Sequence, residues 1–80
     1  MRYNILVTGG SGFLGKHLIL KLINMKHNVF LLERKNTKRI KILSKKPKKI
    51  IAGNFTNKKL MAEIIKENNI DAVFHLGAIT

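Results

Sequence analysis

The segment Ile5-Leu6-Val7-Thr8-Gly9-Gly10-Ser11-Gly12-Phe13-Leu14-Gly15 constrains the fold more than any other part of this 80-residue chain. Ile5-Leu6-Val7 is a continuous apolar run and reads as a buried strand. Beyond the glycines, Leu14, Leu18, Ile19, Leu22 and Ile23 recur with helical period. A strand that passes through a glycine turn straight into a helix is the setting a dinucleotide-binding loop requires. The chemistry of such a loop is main-chain chemistry. Without a Cβ in the way, backbone N–H groups come close to a pyrophosphate, and the following helix N-terminus adds free donors and a partial positive charge. On this reading Gly9 makes the turn off the strand, Gly12 admits the pyrophosphate, and Gly15 lets the helix pack on the sheet. The glycines fit G-x-x-G-x-x-G from Gly9 and G-x-G-x-x-G from Gly10. The plain alternative is a glycine-rich strand–helix turn with no ligand.

Length and composition narrow the field. Eighty residues make one small domain at most, and a domain of this size buries only around two-thirds of its unfolded surface. With no cysteine there is no disulfide and no thiolate metal site, and His17, His27 and His75 show no ligand spacing. The first apolar run is too short for a signal peptide, and no stretch approaches a membrane span; a cytoplasmic protein is expected. A net charge of +12 raises a nucleic-acid or anionic-membrane partner. The basic residues concentrate from Arg34 to Lys49 with Lys58 and Lys59 after them, but aromatic residues are sparse there, which removes the stacking platforms of single-strand binders. Lys, Asn and Ile are abundant together, a compositional bias spread over all solvent faces. Nucleic acid is therefore disfavoured as partner.

Along the chain, Tyr3 to Thr8 reads as strand one and Phe13 to about Lys26 as helix one, with Leu14, Leu18 and Leu22 on one face and Ile19 and Ile23 beside them. Asn24 to Asn28 supplies the stop. Val29 to Glu33 is an apolar strand two, as expected for a strand covered on both faces. Residues 35 to 47 read as a short helix or ordered loop closed by Pro47, with Ile40, Ile42 and Leu43 as anchors. Lys49 to Ala52 is strand three. Thr56 or Asn57 caps a helix running to about Glu67, with Leu60, Met61, Ile64 and Ile65 as its apolar stripe. Ile70 to Leu76 is strand four. Right-handed crossovers make this a parallel α/β sheet. The expected fold is a partial doubly wound sheet of Rossmann type, strand order 3-2-1-4, with the glycine loop where the order reverses.

The glycine segment, together with Val29-Phe30-Leu31-Leu32-Glu33, Gly53-Asn54-Phe55-Thr56 and Asp71-Ala72-Val73-Phe74-His75-Leu76-Gly77-Ala78, resembles the extended short-chain dehydrogenase/reductases, the NAD-dependent epimerase/dehydratase family. The resemblance runs through the whole chain. It implies a dinucleotide cofactor held by Gly9, Gly12, Phe13, Leu14, Gly15, Glu33, Arg34, Asn54, Phe55, Leu76, Gly77 and Ala78. Glu33 ends strand two, eighteen residues after Gly15, where a carboxylate accepts from a ribose 2′-hydroxyl. Arg34 and the lysines after it would instead attract the 2′-phosphate of NADP. The shorter-range hydrogen bond favours NAD, with NADP the alternative; a plain ion pair with a lysine is the non-functional reading of Glu33. Asn54 stands where the family has an aspartate against the adenine amino group, and is equally an asparagine of a tight turn. Phe55 lies beside the adenine on this resemblance, and Leu76, Gly77 and Ala78 along the nicotinamide side, Gly77 replacing an alanine. His75 reads as a strand-end packing residue, since nothing near it in sequence would orient it as acid or base.

The family's Tyr-x-x-x-Lys pair and its Ser or Thr do not occur here: Tyr3 is followed four residues on by Val7, and Thr80 comes too early. The expectation is the cofactor half of an NAD(P)-binding domain, residues 1–80, truncated after strand four and not catalytic alone, from a protein acting on a nucleotide-sugar. A C-terminal half on another chain, or a homo-oligomer, would then complete it. The rivals are a stand-alone dinucleotide-sensing or partner-docking module, and a basic nucleic-acid binder whose affinity falls steeply with salt. Replacing Gly12 with Val is expected to abolish NAD⁺ binding in a calorimetric titration; unchanged binding would remove the glycine loop as a pyrophosphate cradle.

Overall fold

The computed structural model describes residues 1–9, 13–34 and 46–76. Among these residues there are four strands, β1 (Asn4–Thr8), β2 (Asn28–Glu33), β3 (Lys49–Ala52) and β4 (Ala72–His75), and two helices, α1 (Phe13–Asn24) and α2 (Lys58–Glu67). The sheet is parallel throughout, in the order β3-β2-β1-β4, which is the partial Rossmann-type arrangement expected. The expected helix or loop at 35–47 falls, up to residue 45, outside the described residues.

Strand parity sorts the core into two layers. Ile5 and Val7 of β1 and Val29 and Leu31 of β2 pack with Ile19 and Leu22 of α1. Their neighbours Leu6, Phe30 and Leu32 face the other way, against Ile64 of α2 with Leu60 and Met61 beside it. Side chains alternate across a strand, so an unbroken apolar run is what a sheet with a helix on each face requires.

The helices meet the sheet largely through the residues expected, with Leu14 and Ile65 as the exceptions. On α1 the inward positions are Gly15, Ile19 and Leu22, spaced four and three apart, while Leu14 is 68% exposed. The inward face includes Gly15, which is buried, and leaves out Leu14. On α2, Ile64 is buried and Ile65 is exposed. Asn57 is the cap: its Oδ1 accepts from the Leu60 N–H at 3.1 Å. Strand one begins at Asn4 rather than Tyr3, and strand four spans 72–75 rather than 70–76.

Both helices stop by the same device. After α1, the Lys26 N–H donates to Ile23 O at 2.9 Å and the His27 N–H to Leu22 O at 3.1 Å, with Lys26 at φ 70°. After α2, the Ile70 N–H donates to Ile65 O at 3.0 Å, with Asn69 at φ 51°. These are left-handed C-terminal caps, a position that favours glycine. Helix one therefore ends at Asn24, two residues short of the expected Lys26. Lysine gains nothing from a left-handed backbone, so Lys26→Gly is expected to raise stability by roughly 0.5–1 kcal/mol, measured by thermal or urea unfolding.

Candidate functional site

Because all four strands are parallel, their C-terminal ends lie along one edge of the sheet: Thr8 of β1, Glu33 of β2, Ala52 of β3 and His75 of β4. The chain runs outward from β1 to β2 to β3 and then returns to the opposite side of β1 for β4. The order thus reverses between β1 and β4, and in open α/β sheets that crevice is where ligands bind.

Gly9 leaves β1 at φ 73° and its N–H donates to Leu32 O at 3.2 Å. A left-handed turn directly off a strand is open to glycine and costly for most other residues. Gly10, Ser11 and Gly12 lie outside the described residues; Phe13 opens α1 and Gly15 is buried. Leu14 is turned to solvent, so the structure removes it from the helix's apolar stripe.

Glu33 is buried, at 6% exposure, and by parity it lies on the α1 side of the sheet, the side on which the chain leaves Gly9. Arg34, the next residue, is exposed. The Glu33 carbonyl accepts from the Gly53 N–H at 2.7 Å, which holds the turn after β3 against the end of β2. A Cβ at Gly53 would meet the end of the Leu60 side chain, which would have to shift, and would touch Leu32. In the turn itself, Asn54 Oδ1 accepts from the Thr56 N–H at 3.0 Å and from Thr56 Oγ1 at 2.9 Å. The tight-turn reading of Asn54 is thus realised, and Thr56, a candidate cap, serves this turn instead.

Phe55 is half-buried on the α2 side and meets His75 edge to face, ring centroids 4.3 Å apart. His75 Nδ1 lies 2.7 Å from Thr8 Oγ1. The sequence contains no nearby group to orient His75, yet the fold provides one 67 residues away, because Thr8 and His75 are register partners at the ends of β1 and β4. Thr8 directly before the glycine turn and His75 at the end of β4, two polar residues closing adjacent strands, are the signal that would have found this pair. Leu76 packs on the α1-side core; Gly77 and Ala78 lie outside the described residues. The rim is therefore continuous: Gly9 and Thr8, His75, Phe55, Asn54, Gly53 and Glu33. Among the described residues no cluster of side chains could hold a metal ion, and no helix is long and apolar enough to cross a membrane.

A parallel sheet in the order 3-2-1-4, with a left-handed glycine at the switch point and a buried carboxylate closing the next strand, defines the first half of a doubly wound dinucleotide-binding fold. The chain belongs to the NAD dependent epimerase/dehydratase family, whose model matches residues 5–80. It is 36% identical to a UDP-glucose 4-epimerase of Klebsiella pneumoniae, over 94% of this chain and 58% of that protein. It is 32% identical to a UDP-glucose 4-epimerase of Haemophilus influenzae, over 94% of this chain and 24% of that protein. The fold is similar to the crystal structure of UDP-glucose-4-epimerase from Stenotrophomonas maltophila with bound NAD and formylated UDP-arabinopyranose: TM-score 0.79, 28% identity, 91% of this chain and 24% of that one. The chain thus spans 58% of the Klebsiella protein and about a quarter of the other two.

Thr8 is 1% exposed while His75 is exposed, so breaking their bond leaves only a solvated imidazole behind. Thr8→Val keeps the shape and removes the hydroxyl. It is expected to cost about 1 kcal/mol in urea unfolding; a cost near zero would mean that the bond does not tie β4 to β1.

Proposed function

We propose that this chain binds NAD through the rim at the C-terminal ends of its strands and forms the cofactor-holding part of an epimerase or dehydratase acting on a nucleotide-sugar in the cytoplasm. The observation that carries the reading is Glu33: a buried carboxylate at the end of β2, one strand over from the Gly9 turn. Its oxygens can accept from both hydroxyls of an adenosine ribose, and at this depth a 2′-phosphate would meet a negative charge. Arg34, exposed beside it, is the group that would support NADP instead.

The residues present fit the cofactor. Gly9 would make the turn that brings the pyrophosphate to main-chain N–H groups at the start of α1, Glu33 would take the ribose, and the turn 53–56 the base. Leu76, at the end of β4, flanks the far half. The nicotinamide supplies a reversible hydride acceptor when bound. This chain's own part is to bind, orient and shield; the proton-transfer pair of the family, Tyr-x-x-x-Lys, is not in this sequence, so binding without turnover is the expected behaviour of these 80 residues.

The test is a calorimetric titration with NAD⁺ and NADP⁺ at low and high salt. Saturable, salt-tolerant binding supports the reading; binding that collapses with salt and is indifferent to the nicotinamide would point to charge alone, the nucleic-acid alternative raised by the +12 net charge. Glu33→Ala is expected to weaken NAD⁺ by about ten-fold, the loss of a charge-assisted hydrogen bond, and NADP⁺ by less. The reverse order would overturn the choice of NAD.

A further inference from the structure

Asn54 follows Gly53, whose N–H is bonded to the Glu33 carbonyl at 2.7 Å. The turn 53–56 is thereby fixed beside the end of β2, where Glu33 is assigned to the ribose, and the dinucleotide reading puts the base carried on that sugar at this turn. Asn54 is exposed, but its acceptors are already engaged. Oδ1 takes the Thr56 N–H at 3.0 Å and Thr56 Oγ1 at 2.9 Å, and its main-chain carbonyl takes the Asn57 N–H at 3.0 Å. An amide oxygen has two lone pairs, and both are used. The orientation of the amide is fixed as well, because a backbone N–H can only donate and so must face the oxygen. What Asn54 offers outward is Nδ2, with its two donors.

An aspartate in the same turn would satisfy Thr56 with one oxygen and present the other as an acceptor. Asparagine and aspartate here thus show a base opposite polarities through an identical backbone. The 6-position of a purine distinguishes them. Adenine carries an amino donor beside N7, whereas a 6-oxopurine carries two neighbouring acceptors, O6 and N7. Facing Nδ2, the amino group sets donor against donor, and the 6-oxo edge sets donor against acceptors.

We propose that Asn54 inverts the base preference of the adenosine end, so that the chain takes a 6-oxopurine dinucleotide at least as well as the adenine one. This rests on the dinucleotide reading of the rim. The probe is nicotinamide hypoxanthine dinucleotide, which leaves the ribose, pyrophosphate and nicotinamide unchanged. In parallel calorimetric titrations, the unaltered chain is expected to bind it as tightly as NAD⁺ or more tightly. Asn54→Asp, which retains the turn, is expected to shift the ratio of the two dissociation constants by about ten-fold toward NAD⁺. Thr56→Val, which returns one lone pair to Asn54 Oδ1, is expected to shift it the same way by a smaller factor. A ten-fold preference for NAD⁺ by the unaltered chain, or a ratio that neither variant moves, would overturn the base assignment and leave the dinucleotide site standing. Failure of both dinucleotides to bind would overturn the two together.

Discussion

Burial of β1 on every side is the constraint from which the rest of the structure follows. It lies between β2 and β4, its odd residues face α1 and its even residues face α2, and Ile5, Leu6, Val7 and Thr8 are all buried. Each large apolar side chain placed there contributes about 1.5–3 kcal/mol, a substantial part of the margin of so small a domain. A strand covered in this way can change direction only at its end. Gly9 makes that change in a backbone conformation glycine adopts freely, and the neighbouring strands bring their own ends to the same edge.

The chemistry of that edge is divided by residue type in a way that suits a strongly basic chain. Of the four acidic residues, Glu63, Glu67 and Asp71 are exposed and Glu33 alone is buried. A carboxylate taken out of water carries a desolvation cost, which sugar hydroxyls donating to it would offset. On the proposed reading the pyrophosphate would be held by oriented main-chain dipoles at the start of α1 and not by lysine or arginine side chains. Recognition through such dipoles tolerates salt, whereas recognition through surface lysines does not. The basic composition and the dinucleotide reading therefore make different physical demands, and only the second uses the buried residues.

Most of the architecture was legible because it depends on local pattern. Apolar runs, the glycine turn and helical period gave four strands, two helices and the sheet order, and Glu33 appeared at the end of β2 as expected. What escaped depends on distance or on half-turn detail. Leu14 was placed inward and is exposed, since a periodic stripe of large side chains does not record which of its end residues the sheet covers. Ile65 likewise extends the α2 stripe by one residue beyond what the sheet covers. Thr56 and Asn57 are both competent caps, and the choice between them was made by Asn54, whose Oδ1 engages Thr56 and leaves Asn57 to the helix. The pairing of His75 with Thr8 needed the β1–β4 register, which joins residues from opposite ends of the chain.

The two ends of the sheet differ in what carries their order. At the N-terminal edge polar groups satisfy one another. The Asn4 N–H donates to Asp71 Oδ2 at 2.8 Å, Asn4 Nδ2 donates to Asn69 O at 3.2 Å, Asn28 Nδ2 donates to Asn4 Oδ1 at 2.9 Å, and the Tyr3 N–H donates to His27 Nδ1 at 3.1 Å. Asn4 alone thus links β1 to the residues before β4 and to β2, and fixes their relative register from below. Local order that a glycine-rich edge cannot supply for itself is supplied from the far end of the same strands, about 17 Å away for a five-residue strand. With the register fixed there, the C-terminal edge is free to be made of turns, among whose described residues Thr8 is bonded to His75 and Asn54 to Thr56.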